Sequence, residues 1–160
     1  MVYRRFSLQL AIRLVVLGVA IAAALWLMLQ PGLHSATLLA GGIVAIKGLG
    51  GFHLACDATN AAAVAELRRR KLRRDKPFAL MAATIDQILR FVHLTENETT
   101  LLRSPAAPVV LAERKADGPV LAEQLAPRQH MLGFMLPYSP LHHLLLSDWQ
   151  RHRPGSPLVM

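Results

Sequence analysis

Residues 1–46 contain no aspartate or glutamate, and their only charged side chains are Arg4, Arg5 and Arg13; all ten acids of the 160-residue chain lie after Ile46. There is one cysteine, Cys56, so an intrachain disulfide and a CxxC zinc pair are both excluded. Neither a GxGxxG nor a Walker A pattern occurs. The adjacent His142 and His143 would point about 100° apart on a helix and would not chelate one ion. Cys56 has no base beside it, because His53 falls on the other face of an extended segment, and this argues against a catalytic thiol. No internal repeat or low-complexity tract is present. What remains is a strongly basic chain, net charge +8 and pI about 10.8, suited to anionic ligands: nucleotides, phosphorylated metabolites, nucleic acid or a membrane surface.

The acid-free beginning is also apolar. Residues 14–29 carry no polar side chain, and with residues 10–13 they would make roughly 30 Å of helix, about one hydrocarbon core. The run over residues 8–29 reads as a transmembrane or signal-anchor helix, with Trp26 near one end and Pro31-Gly32 as its stop. A signal peptide and a buried core helix are the alternatives. Arg4 and Arg5 precede the run and no Lys or Arg follows until Lys47, which by the positive-inside rule would leave the rest of the chain outside the cytoplasm.

After residue 40 short β-rich runs alternate with helical ones. "GIVAI", a second short strand within "GLGGFHLACDATN" after its glycine-rich turn, "FALMAA", "PVVLAE", "MLGFML" and "PLVM" read as strands. Asn60 is a good N-cap for "AAAVAELRRRKLRR", and Pro77 ends that helix by Lys76 at the latest. Thr84 with Gln87, and Thr95 with Glu98, open two short helices as capping boxes; Ser139-Pro140 opens another. The pattern is α/β, a sheet covered by helices.

Two stretches could carry chemistry. "KGLGGF", residues 47–52, follows a strand as phosphate-binding loops do, but a plain tight turn explains it equally well. "RRRKLRRDK", residues 68–76, is either a solvated basic face or a phosphate grip. Lys71 and Arg73 would lie about 160° apart on a continuing helix, so a grip requires the helix to end near Arg70. Composition leaves the two readings near even.

The blocks "GGIVAIKGLGGFHLACDATN", "KLRRDKPFALM", "SPAAPVVL" and "LGFMLPYSPLHHLLL", in this order and spacing, closely resemble the YrdC-like domain of the HypF carbamoyltransferases of nickel–iron hydrogenase maturation. The resemblance covers about residues 38–160 and leaves residues 1–36 as an unrelated hydrophobic segment. It implies a YrdC-like twisted mixed sheet flanked by helices around a basic cavity, next to the N-terminal hydrophobic helix. It implies a carbamoyl-adenylate made from ATP, accompanied by Mg2+, and a carbamoyl donor, with a HypE-like protein as eventual acceptor and a cytoplasmic location. Stand-alone relatives imply the alternative of a threonylcarbamoyl-adenylate synthase or a double-stranded RNA or tRNA binder. The family's K-x-R motif matches Lys71-Leu72-Arg73, Lys76 takes the next basic position, and the glycine loop with Lys47 matches residues 47–52; the resemblance thus implies that Arg68, Arg69 and Arg70 are solvated helix and that Lys71, Arg73 and Lys76 face the nucleotide, and it implies no catalytic side chain and no protein metal site. Arg74 stands where the family's proline follows K-x-R. The Ser-x-Asn motif would follow "PLVM", where the chain ends, so a truncated or chimeric frame, inactive by itself, is expected.

Overall fold

A computed structural model describes residues 14–19, 22 and 31–160. Residues 14–19 and 22 are helical. The remainder of the span expected over residues 8–29 lies outside the described residues. Among the described residues no helix is long and apolar enough to cross a membrane, so the membrane helix finds no support. The chain divides into two compact units, Met1–Gln30 and Pro31–Met160.

The second unit begins with a correction. Pro31, expected as a helix stop, is the first residue of helix α1, Pro31–Leu39. Proline is at home there because the first helical N–H has no intrahelical acceptor to lose. Strands β1 (Val44–Lys47) and β2 (Phe52–Asp57) form a hairpin around the glycines. Helix α2, Ala61–Arg70, starts where Asn60 accepts from the Ala63 N–H at 3.1 Å. Then follow β3 (Ala79–Met81), α3 (Ile85–Ile88), β4 (Val92–His93), α4 (Glu96–Leu102), β5 (Val110–Arg114), a 3-10 turn (Glu123–Leu125), β6 (Met131–Met135), α5 (Pro140–His152) and β7 (Leu158–Val159). Thr95 and Glu98 form the full capping box of α4. At α3 the box is offset: Thr84 Oγ1 accepts from Gln87 N, but the Gln87 side chain accepts from Ala83 N, one residue early.

The seven strands lie in the order β1-β2-β7-β3-β6-β5-β4, with β3–β6 parallel and the other described pairs antiparallel. The two-residue alternation of strands splits their side chains between two cores. Cys56, Leu80, Phe134 and Val159 face one side, where Val64 and Leu67 of α2, Ile88 of α3 and Leu102 of α4 pack on them. Ala55, Met81, Met135 and Leu158 face the other, under Leu38 of α1 and Leu145, Leu146 and Trp149 of α5. "PLVM" is therefore a central strand, which is why it reads as an unbroken apolar run.

The second face is only partly roofed. Over β5 it exposes Val109 and Leu111, and the backbone of Gly133 lies beneath them: a Cβ there would meet Val109 Cγ1 at 2.9 Å. A recess of about 280 Å³ opens beside this strip, lined by Leu49, residues 105–107, Met135 and Tyr138. Ala107, at φ 44°, is one of three non-glycine residues in the left-handed region among the described residues; the others are Leu72 and Arg128.

Candidate functional site

Helix α2 ends at Arg70, as a phosphate grip would need. Its end is a Schellman turn. Leu72 sits in the left-handed region at φ 48°; its N–H donates to Arg69 O at 3.2 Å, and the Arg73 N–H donates to Arg68 O at 3.1 Å. The chain reverses over Leu72 and brings the residues on either side of it to one place. The Arg73 guanidinium lies 4.9 Å, and the Lys71 ammonium 6.0 Å, from the centroid of the Phe78 ring, which is itself buried. Lys71 and Arg73, incompatible on a continuous helix, are thus neighbours.

Arg68 is what holds this loop, and here the expectation of a solvated residue fails. Arg68 is half-buried, 4.8 Å from the same Phe78 ring, and its guanidinium donates to five backbone carbonyls: Arg73, Arg74 and Lys76 in the basic loop, and Gln124 and Leu125 in the 3-10 turn. Burial, then the adjacent Arg73 charge, presses its pKa below the usual value, while Asp75 pulls the other way. It remains a cation at any physiological pH. The sequence carried a faint signal: Arg68 follows Leu67 and lies four residues after Val64, at the edge of the buried stripe. Arg69 and Arg70 are solvated as expected. Both bind Glu66, at 2.7 and 2.6 Å, and hold its carboxyl at about 2. Lys76 has its carbonyl tied to Arg68 but an exposed side chain.

Lys47 stands apart on the hairpin. Residues 47–52 form a tight turn in which Gly48 N–H donates to Gly51 O at 2.8 Å. Lys47 is paired across the hairpin with Phe52 and lies 5.3 Å from its ring centroid. No described contact joins Lys47 to Lys71, Arg73 or Lys76. The next cross-strand pair, Ile46 with His53, faces the opposite side of the hairpin.

His53 belongs to a cluster that sequence reasoning missed. Its Nε2 is 2.8 Å from the Tyr138 hydroxyl, and both rings meet His142 edge-on, with centroids 5.5 and 4.5 Å away. His142 is fully buried while its neighbour His143 is exposed, so the His-His pair is split between interior and solvent. Burial, then the charges of His53 and His143, pushes His142 down to about 4. Burial and the nearby Lys71 charge lower His53 as well. Cys56 is inert: burial, reinforced by Asp57, pushes its thiol up to about 12.

Among the described residues no three His, Cys, Asp or Glu side chains converge, so these residues form no chelating site of their own. The arrangement offers instead a clamped pair of cations, a glycine hairpin and a small recess lined in part by Leu49 of that hairpin.

The Sua5–YciO–YrdC family, described as "Telomere recombination", matches residues 36–160. Carbamoyltransferase HypF of Rhodobacter capsulatus is 57% identical over 129 residues, covering 81% of this chain and 16% of that protein. Carbamoyltransferase HypF of Synechocystis is 51% identical over 114 residues, 71% of this chain and 15% of that one. The chain thus spans about a sixth of the length of these curated relatives. A crystal structure of full-length HypF in a phosphate- and nucleotide-bound form superposes with a TM-score of 0.75 at 41% identity, covering 82% of this chain and 16% of that one. Sua5 of P. abyssi, complexed with L-threonine, gives 0.68 at 15% identity over 84% of this chain and 37% of that one, and so shares the fold. The chain belongs to the Sua5–YciO–YrdC family, as a YrdC-like domain homologous to that of HypF carbamoyltransferases.

Proposed function

We propose that this chain binds ATP and serves the adenylate-forming step of a HypF-type carbamoyltransferase. One observation carries the reading: the turn at Leu72 gathers Lys71 and Arg73 around Phe78 while Arg68 fixes the loop beneath them. Two cations held in place suit the triphosphate and the pyrophosphate that leaves it. In this step a carboxylate oxygen of a carbamate-class donor attacks the α-phosphorus, the bond between the α-phosphorus and its bridging oxygen breaks, and pyrophosphate departs. Lys71 and Arg73 neutralise the charge that builds on that bridging oxygen, with Lys76 and Lys47 at the edges of the grip. Mg2+ enters as part of the substrate, bound to the phosphates. The carbamoyl group then passes to a HypE-like acceptor through parts of the larger enzyme, in the cytoplasm where ATP is available, and the chain alone completes no transfer.

Double-stranded RNA binding has less behind it. Of the seven basic residues in 68–76, Arg68 is turned to backbone carbonyls and Arg69 and Arg70 are paired with Glu66.

Calorimetric titration of the 160-residue chain with Mg-ATP tests the reading, beside carbamoyl phosphate-dependent ATP–pyrophosphate exchange. We expect binding that Lys71→Ala and Arg73→Ala weaken, with little exchange by the chain alone. Wild-type affinity retained in both variants would sink the assignment.

A further inference from the structure

We propose that the His53–Tyr138 hydrogen bond, seated on buried His142, is a latch that fixes the root of the glycine hairpin carrying Lys47. The proposal deepens the ATP-binding reading and rests on it for its functional consequence, though not for its structural one.

Three rings meet here from distant parts of the chain. His53 comes from β2, Tyr138 from the link after β6, 85 residues on, and His142 from the first turn of α5. The hairpin touches them at Gly48. A Cβ on Gly48 would lie 2.7 Å from His53 Nε2 and 2.8 Å from the Tyr138 hydroxyl, so only a residue without a side chain lets the hairpin close over the bond. Beyond that point the tip has little support. A Cβ at Gly50 or Gly51 would meet nothing within 4 Å, and Leu49 is 83% exposed. Beside the strand pairing and the buried Val44 and Ile46, the described side-chain hydrogen bond that ties the hairpin to the rest of the protein at this root is His53–Tyr138.

A neutral imidazole suits this bond: a protonated His53 could still donate to the tyrosine oxygen but would carry its charge in a half-buried place against two other rings. The rings that face it are Tyr138 and His142 on α5, while Lys71 and the exposed His143 act on the pair through their charge alone. None of these supplies a negative charge near neutral pH. Neither ring nitrogen of His142 has a hydrogen-bond partner, so that ring makes no competing bond to Tyr138 and leaves the hydroxyl to His53. His53 and Tyr138 both lie against Gly48, so the latch fixes the root of the hairpin, next to Lys47.

The test uses the full 160-residue chain. Tyr138→Phe keeps the ring and removes the hydroxyl. Amide hydrogen exchange at residues 47–52 should speed up by about fivefold to tenfold, as expected for loss of one hydrogen bond. Exchange at Leu80 and Phe134, in the central strands, should not change. Mg-ATP affinity should fall severalfold in the same variant. His53→Gln, whose amide can still reach the hydroxyl, should fall between wild type and Tyr138→Phe. Unchanged hairpin exchange in Tyr138→Phe overturns the latch, and faster exchange with unchanged ATP affinity overturns its positioning role. If the wild type binds no ATP, the proposed function fails, and the exchange result decides the latch without it.

Discussion

The basic loop after α2 and the glycine hairpin after β1 each carry cations, yet they are built by opposite means. The basic loop is held from within by Arg68, a permanent cation whose guanidinium spans five carbonyls. The hairpin has glycines at its tip and one neutral hydrogen bond at its root. A guanidinium stays protonated at any pH the fold survives, whereas the hairpin sits on two imidazoles whose pKa values are lowered. Rigidity at the first loop should therefore be independent of pH, and at the second it should not. Removing each support in turn is the way to break or sharpen that contrast.

Arg68→Ala should have the largest effect. It strips five carbonyls of their donor and uncovers one side of Phe78. Loop carbonyls can turn to water, so the loss is well short of five hydrogen bonds, and about 3 kcal/mol is expected. Urea denaturation measures it. Arg68→Lys should recover little, because a single ammonium cannot span the basic loop and the 3-10 turn together. A lysine variant as stable as wild type would show that the charge matters and the fork does not.

The support under the hairpin should fail with acid instead. His142 is held at about 4 in the folded chain, against an ordinary value of 6.5. A group with a lowered folded pKa is unprotonated in both states at high pH, so its stabilising effect is complete above about 6.5. Between 6.5 and 4 the unfolded chain binds the proton and the folded chain does not, and stability falls. The loss attributable to this group should reach about 3 kcal/mol by pH 4. The measurement is the unfolding free energy of wild type and His142→Leu from pH 7.5 to 4. The carboxylates titrate in both, so their difference isolates the histidine. Parallel curves would refute the assignment, and a similar slope in Arg68→Ala would leave the contrast between the loops intact.

Ligand binding separates the loops further. Lys71→Ala and Arg73→Ala should each weaken Mg-ATP binding by about tenfold, the usual scale for a charge-assisted phosphate contact. Lys47→Ala should cost only about two- to threefold, because Lys47 is exposed on the more weakly supported element. A larger effect at Lys47 than at Arg73 would reverse the ranking and make the hairpin the principal grip.

How much of this was legible in the sequence depends on the range of the interaction. Asn60, Thr95 with Glu98, and Ser139-Pro140 act on backbone within four residues, and each begins its helix as the pattern says. The strands followed from apolar runs, except β4, whose two residues are too few to show a period. The end of α2 at Arg70 was a condition that the chemistry imposed rather than one the residues announced: Leu72 is an unusual choice for a left-handed position, and a glycine there would have declared the turn. Arg68 was misread because helical spacing shows which way a side chain leaves the helix, but not that a loop 56 residues later places its carbonyls there. His53, Tyr138 and His142 look unremarkable one by one. Only β2 pairing into the centre of the sheet, with α5 packed over it, brings them together.

Leu72 provides the smallest and cleanest perturbation of the pair. Its φ of 48° is a conformation that costs an L-residue roughly 1–2 kcal/mol, and its side chain is 90% exposed, so packing returns little of that cost. Leu72→Gly removes the backbone strain but gives the unfolded chain more freedom, worth roughly 0.5–1 kcal/mol in the other direction. The net should be a gain of about 0.5 kcal/mol, read as a small rise in the urea midpoint with unchanged slope. The two Schellman hydrogen bonds involve backbone atoms only, so Lys71 and Arg73 should keep their places and Mg-ATP affinity should stay at the wild-type value. If affinity falls while stability rises, the left-handed leucine contributes to the grip itself through its exposed side chain. The basic loop would then owe its ligand affinity to more than the clamp beneath it, and the contrast with the hairpin would narrow from the side of the stiffer element.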